Sequence, residues 1–180
     1  MATQPLRWVG NENGTPAHVV TYAEGTSESF IKGDLVIYDR SENGIVSLTA
    51  TSGVPDSVAF IGIALEDASG TAATPIDVLI PNSDDIFSAI LCSAQNTPVA
   101  PDHDNIGQLY SLVKQSGSLD NVYAVLEGGT DDWVKVTRLD PQDQARQGID
   151  PWAATQTGSS GDRVYFKFLT AALDGSGTQA

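Results

Sequence analysis

No stretch of a dozen residues in this chain repeats its apolar side chains with a 3.6-residue period. Apolar residues come instead in short runs, each closed off by Gly, Pro, Asn, Asp or Ser. That spacing excludes a helical bundle and leaves strands joined by tight turns. The residue choice agrees: Ser and Thr number 31 and β-branched Val alone 15. The fold class read from the sequence is all-β, a small β-barrel or sandwich, because closure hides strand edges.

The strands can be placed. Leu35-Val36-Ile37-Tyr38 follows a turn at Lys32-Gly33-Asp34, and Asn43-Gly44 marks a hairpin leading into Ile45 to Thr51. Val58 to Leu65 is an apolar run broken by Gly62, where a bulge or a close backbone approach is expected. Ile76 to Ile80 is a strand stopped by Pro81. Residues 84–92 fit a short capped helix and a strand equally well. Segments 107–113, 121–126, 133–139 and 163–169 are short and apolar-rich. Val134 and Val136, and Val164, Phe166 and Phe168, alternate with period two, as in half-buried antiparallel strands.

Four regions follow. Residues 1–27 are polar and interrupted, and read as an extended N-terminal arm that pairs with its own sheet or with a neighbour. Residues 28–82 form a β-barrel core. Residues 83–170 form a second small β subdomain or complete the barrel, with a long irregular connection over 140–162. Residues 171–180 are a flexible tail.

Charge narrows the partners. Nine Lys plus Arg against 23 Asp plus Glu give a net charge of -14 in 180 residues. Phosphate backbones and anionic lipid need clustered cations, so no direct nucleic-acid contact and no membrane contact are expected. Most acids fall in turns, among them Asp34, Asp67, Asp120, Asp131, Asp132 and Asp162, and are expected to face solvent. A contact surface should then be the least acidic part of the molecule, with Arg7 the first place to look. Cys92 is the only cysteine, and its apolar setting predicts a buried, inert thiol. The N-terminus lacks the basic and apolar regions of a signal peptide, which points to synthesis in a reducing cytosol.

Chemistry is thin. Of the two histidines, His18 lies in an alternating segment and reads as a strand or interface residue. His103 sits in Asp102-His103-Asp104-Asn105, which matches no zinc signature and no twelve-residue calcium loop, so a solvated turn is expected. No Gly-x-Ser-x-Gly and no phosphate-cradling loop occur. No catalytic residue, metal site or cofactor is assigned, and no enzymatic activity is expected. Trp8, Trp133 and Trp152 stand in polar or loop-flanking contexts, where large aromatics anchor protein contacts. With Arg7 and His18 they are the candidate contact residues for a partner or a second subunit.

Ile31-Lys32-Gly33-Asp34-Leu35-Val36, then Asn43-Gly44-Ile45-Val46, then Phe60-Ile61-Gly62-Ile63-Ala64-Leu65-Glu66-Asp67-Ala68 resembles the small capsid decoration, or head cement, proteins of tailed bacteriophages. The resemblance implies a β-barrel-like virion protein, made in the host cytoplasm, on the outer surface of the capsid. Its partners would be the major capsid protein and itself, as a homotrimer with a dimer as the alternative. Such proteins often use an extended N-terminal arm, a role residues 1–27 would fill. The family has no catalytic residues to carry over. A second reading is a carbohydrate- or protein-binding β module, with Trp133 or Trp152 on sugar rings and Asp102 with Asp104 holding calcium. A metal-dependent hydrolase around His103 is a third.

Overall fold

The structure is a computed structural model that describes residues 6–48, 50–51, 54–55, 60–116, 123–129, 132–146, 158 and 162–169. Eight strands precede the middle of the chain: β1 (Arg7–Asn11), β2 (Val19–Ala23), β3 (Leu35–Asp39), β4 (Gly44–Ser47), β5 (Ala50–Thr51), β6 (Val54–Pro55), β7 (Gly62–Ala64) and β8 (Pro75–Leu79). Six follow: β9 (Asp85–Ala94), β10 (Thr97–Pro98), β11 (Leu109–Lys114), β12 (Tyr123–Leu126), β13 (Val134–Leu139) and β14 (Arg163–Phe168). The only helical pieces among the described residues are a 3-10 turn, His103–Asn105, and a short helix α1, Pro141–Arg146. The chain is all-β, as its sequence pattern predicts.

The first sheet runs β2-β8-β7-β3-β4 with antiparallel neighbours. It closes into a barrel where the Gly25 N–H donates to the Ile45 carbonyl at 2.9 Å, joining the end of β2 to β4. Two glycines permit the close approaches. A Cβ on Gly44 would lie 2.7 Å from the Glu24 carbonyl carbon at that seam, and one on Gly62 would lie 2.3 Å from the Leu79 carbonyl oxygen. Asn43 takes φ +51, the left-handed conformation that an Asn-Gly hairpin turn needs.

Gly62→Ala is therefore expected to cost about 1–3 kcal/mol, because β7 or β8 must shift to admit the methyl. Gly10→Ala is the control, since nothing lies within 4 Å of its Cβ position. Urea denaturation of the two variants checks this; equal midpoints would contradict it.

The second sheet also closes on itself. Strand β9 pairs with β12 in parallel and with β14 antiparallel, and β12-β11-β13-β14 completes the ring. Strand β1 pairs with the Asp85–Ser88 half of β9, and β10 folds back on its far end. Residues 85–92 are thus part of a strand, with Asp84 in the turn before it, and the short-helix alternative is excluded. Both faces of β9 are buried: Phe87, Ala89 and Leu91 face the main core, while Ile90 and Cys92 belong to a small cluster on the other face. The continuous apolar run that results hides the period-two signal.

Residues 6–27 do pair with this chain's own sheets. Strand β1 belongs to the second sheet and β2 to the first, so the first barrel takes in β2, N-terminal of the 28–82 span read from the sequence. The region read as a tail, 171–180, lies outside the described residues, as does most of the 140–162 connection.

The two barrels share a wall. In β3, Val36 points into the first barrel with Phe30, Ile45 and Ile76, while its neighbour Leu35 joins the core of the second. Ala64 and Ile63 divide in the same way, and so do Val78 and Leu79. Strands buried on both faces need apolar residues at successive positions, which is why Leu35-Val36-Ile37 and Ile63-Ala64 do not alternate. Phe60 reaches across, its ring 4.9 Å from Phe168 and 5.7 Å from Trp133. Each such side chain, fully buried, contributes about 1.5–3 kcal/mol.

One ion pair crosses the junction. Lys114 Nζ lies 2.8 Å from Asp34 Oδ2 and 5.9 Å from the centre of the Tyr123 ring. The Asp34 side chain is 1% exposed and that of Lys114 23%. Burial raises the Asp34 pKa, against the pull of Lys114 and of the Ile31 N–H. Asp34 Oδ1, the Tyr123 hydroxyl and Trp133 Nε1 are buried with no hydrogen-bond partner among the described residues.

Cys92 is fully buried, and burial pushes its thiol from 9.0 to about 11. Burial also raises the Tyr123 phenol, with the Asp34 charge adding to it. A folded state that holds these protons more tightly than the unfolded chain gains stability below pH 9 and loses it as pH rises through the folded values. Thermal midpoints are expected to fall between pH 9 and 11, with a smaller fall in Cys92→Ala. An unchanged midpoint across that range would contradict the burial of both groups.

Candidate interaction surface

Four strands, β13-β14-β9-β1, lie side by side. Their register sets Arg138, Tyr165, Ser88 and Arg7 in one row across the outer face. Lys135 and Lys167 are partners in a neighbouring row of the same face. The cause is legible in each strand: Val134 and Val136, and Phe166 and Phe168, turn inward, so the residues between them turn out. Four of the nine cations in a chain of charge -14 thus reach one face.

Their surroundings differ. Arg7 is 43% exposed and sits 3.9 Å from the buried Asp140 carboxylate. Lys167 Nζ lies 2.6 Å from Glu12, and the Arg138 guanidinium stacks 4.6 Å above the Tyr165 ring. Lys135 is exposed. At the inner end of the face, buried Arg163 donates from Nε to the Ser88 hydroxyl at 2.5 Å and from a terminal nitrogen to the Ser88 carbonyl. Its backbone N–H donates to Asp143 at 2.9 Å. Burial and, after it, the Arg7 charge lower the Arg163 pKa, while Asp140 and Asp143 oppose them. Arg163 is a structural tie, and the solvent-reaching rim is made by the other four cations.

The residues singled out from the sequence fare differently. Arg7 is on this surface. Trp8 is half-buried against the main core, and its indole N–H donates to Asp85 at 3.1 Å, which fixes β1 to β9. His18 is exposed, and its backbone carbonyl accepts the Ile80 N–H. Trp133 is not the exposed anchor its polar flank implies: it is fully buried and stacks on Phe60, as a core residue. Trp152 lies outside the described residues.

The Asp102-His103-Asp104 segment forms a capping box. Asp102 Oδ1 accepts the Asp104 N–H, and the Asn105 side chain accepts the Asp102 N–H at 2.7 Å. Asn105 Nδ2 donates to the Tyr110 hydroxyl and to Glu127. The Asp102 and Asn105 side chains hold the turn, and among the described residues no group of three His, Cys, Asp or Glu is placed to hold a metal ion.

The expectation that turn acids face solvent needs correcting too. Asp67 and Asp132 are exposed, but Asp34 and Asp162 are buried. Glu24, Asp85, Asp140 and Asp143 join them. Each buried acid with identified donors anchors a loop: Glu24 accepts from Ser69 and Gly70, and Asp85 from Trp8, Asn11 and Asn82. Such charge-assisted bonds offset desolvation. Asp120 and Asp131 lie outside the described residues.

No protein-family model matches this chain, and neither the curated proteins nor the solved structures contain a match to it.

Proposed function

We propose that the protein is a virion structural protein, a decoration or cement protein that binds the major capsid protein lattice on the outer surface of a phage head and stabilises it. The observation that carries this reading is the shared wall: two closed barrels with a common core and a buried ion pair across their junction. A cement protein transmits strain between lattice subunits, and a block whose halves share side chains has no hinge to yield. The partial resemblance of residues 31–68 to decoration proteins supports the same assignment.

The cationic rim on β13, β14 and β1 supports a contact role for the second barrel, since it gathers four of the nine cations of an acidic protein on one face. Each contact is modest, but many symmetric copies on one lattice add up. The partners are the major capsid protein and other copies of this chain, as a homotrimer with a dimer as the alternative. No catalytic step belongs to this role.

Cryo-electron microscopy of intact particles tests the assignment. Density for this chain at symmetric positions on the outer head surface is the expected result. Its presence only in the tail, or its absence from particles, would overturn the proposal.

A further inference from the structure

Residues 19–80 hold nine acids and two cations, Lys32 and Arg40, and the rest of the chain holds fourteen acids and seven cations, of which Arg7, Lys135, Arg138 and Lys167 gather on one face of the second barrel. On the first barrel, Glu66, Asp67 and Asp77 form an acidic flank. Glu66 accepts the Asp77 N–H, Asp67 accepts the Lys32 N–H, and Asp77 accepts the Thr21 hydroxyl at 2.6 Å. Among the described residues none of these three acids is in an ion pair, and neither Lys135 nor Arg138 has a carboxylate partner. Among the described residues, one barrel therefore presents two cations without a carboxylate partner, Lys135 and Arg138, and the other presents three acids without a cation partner.

We infer that the cationic rim docks on the Glu66-Asp67-Asp77 flank of a second copy of this chain. The inference deepens the self-association part of the proposed function. A contact between two different patches is heterologous, and repeated around an axis it closes into a ring, of which a trimer is the smallest. The overall repulsion of two copies at -14 does not forbid it. Screening at about 0.15 M salt confines interactions to about 8 Å, so charges that touch outweigh those that do not. The stacked Arg138–Tyr165 pair gives the rim a pre-ordered guanidinium, which lowers the entropy lost on docking.

Sedimentation velocity of the full chain provides the test. Wild type is expected to associate at about 0.15 M salt and to dissociate at about 1 M, where screening is three times shorter. K135E/R138E and E66K/D77K should each weaken association by about tenfold or more. The chain carrying all four changes restores the complementarity and should associate again. A monomeric wild type at about 0.15 M, association that strengthens with salt, or no response to K135E/R138E would each overturn the inference. Heads that are still stabilised by a monomeric protein would overturn this contact alone and leave the decoration role standing.

Discussion

Replacing Lys114 with Met is expected to lower the unfolding free energy by about 3–5 kcal/mol, because it leaves the Asp34 carboxylate buried and uncompensated. Asp34 is 1% exposed, and burial already raises its pKa with Lys114 in place. Removing the ammonium raises it further. A raised carboxylate pKa gives stability that is full below 3.8 and lost as pH climbs through the folded value. The deficit of Lys114→Met should therefore be smaller at pH 4 than at pH 8. The double variant D34N/K114M should recover most of the loss, since replacing both members of a buried pair is often neutral. Urea denaturation at the two pH values reads all three outcomes. A Lys114→Met loss below about 1 kcal/mol would mean that the pair behaves as a surface salt bridge and does not tie the barrels.

Trp133→Ala carries an expected loss of similar size, about 3–5 kcal/mol, from the cavity it opens. The ring stacks on Phe60, which in turn lies against Phe168, so the cavity sits where the barrels meet. Trp133→Phe keeps most of the contact area and omits the unpartnered indole N–H; it should cost less than about 1.5 kcal/mol. Equilibrium unfolding followed by far-ultraviolet circular dichroism separates the two variants. A surface anchor would behave otherwise: its loss would shift stability by no more than about 0.5 kcal/mol.

Trp133 also shows where the sequence stops being legible. It follows Asp131-Asp132, and that polar flank suggested exposure. What buries it is Phe60, far away in sequence and brought over by the folding of the first barrel. Asp34 failed for the same reason. Lys32-Gly33-Asp34 is a turn, as read, but the cation that lets its acid stay inside is 80 positions away. Features set by neighbouring residues were readable: the Asn43-Gly44 hairpin, the glycine approach at Gly62, and the alternation in β13 and β14. The parallel pairing of β9 with β12 and the division of β1 and β2 between two barrels leave no local trace. The cationic rim lies between these cases. Alternation shows that Lys135 and Lys167 point outward, yet only strand register sets them beside each other and brings Arg138 and Arg7 into the adjoining row.

The acidity acquires two roles. Exposed acids such as Glu66 and Asp67 give the first barrel its negative surface. Buried ones such as Glu24 and Asp85 hold turns and strands in place through backbone and side-chain donors. A chain rich in Asp can thus be short of helices and still tightly ordered, because each buried carboxylate replaces several separate loop contacts.

In the proposed role, a rigid two-barrel block reinforces a head. Heads purified with and without this protein, exposed to osmotic shock and to rising temperature, test it most directly. Heads lacking the protein should release their DNA at lower temperature and after milder shock, and adding back the purified chain should restore resistance. Equal survival of complete and deficient heads would contradict it.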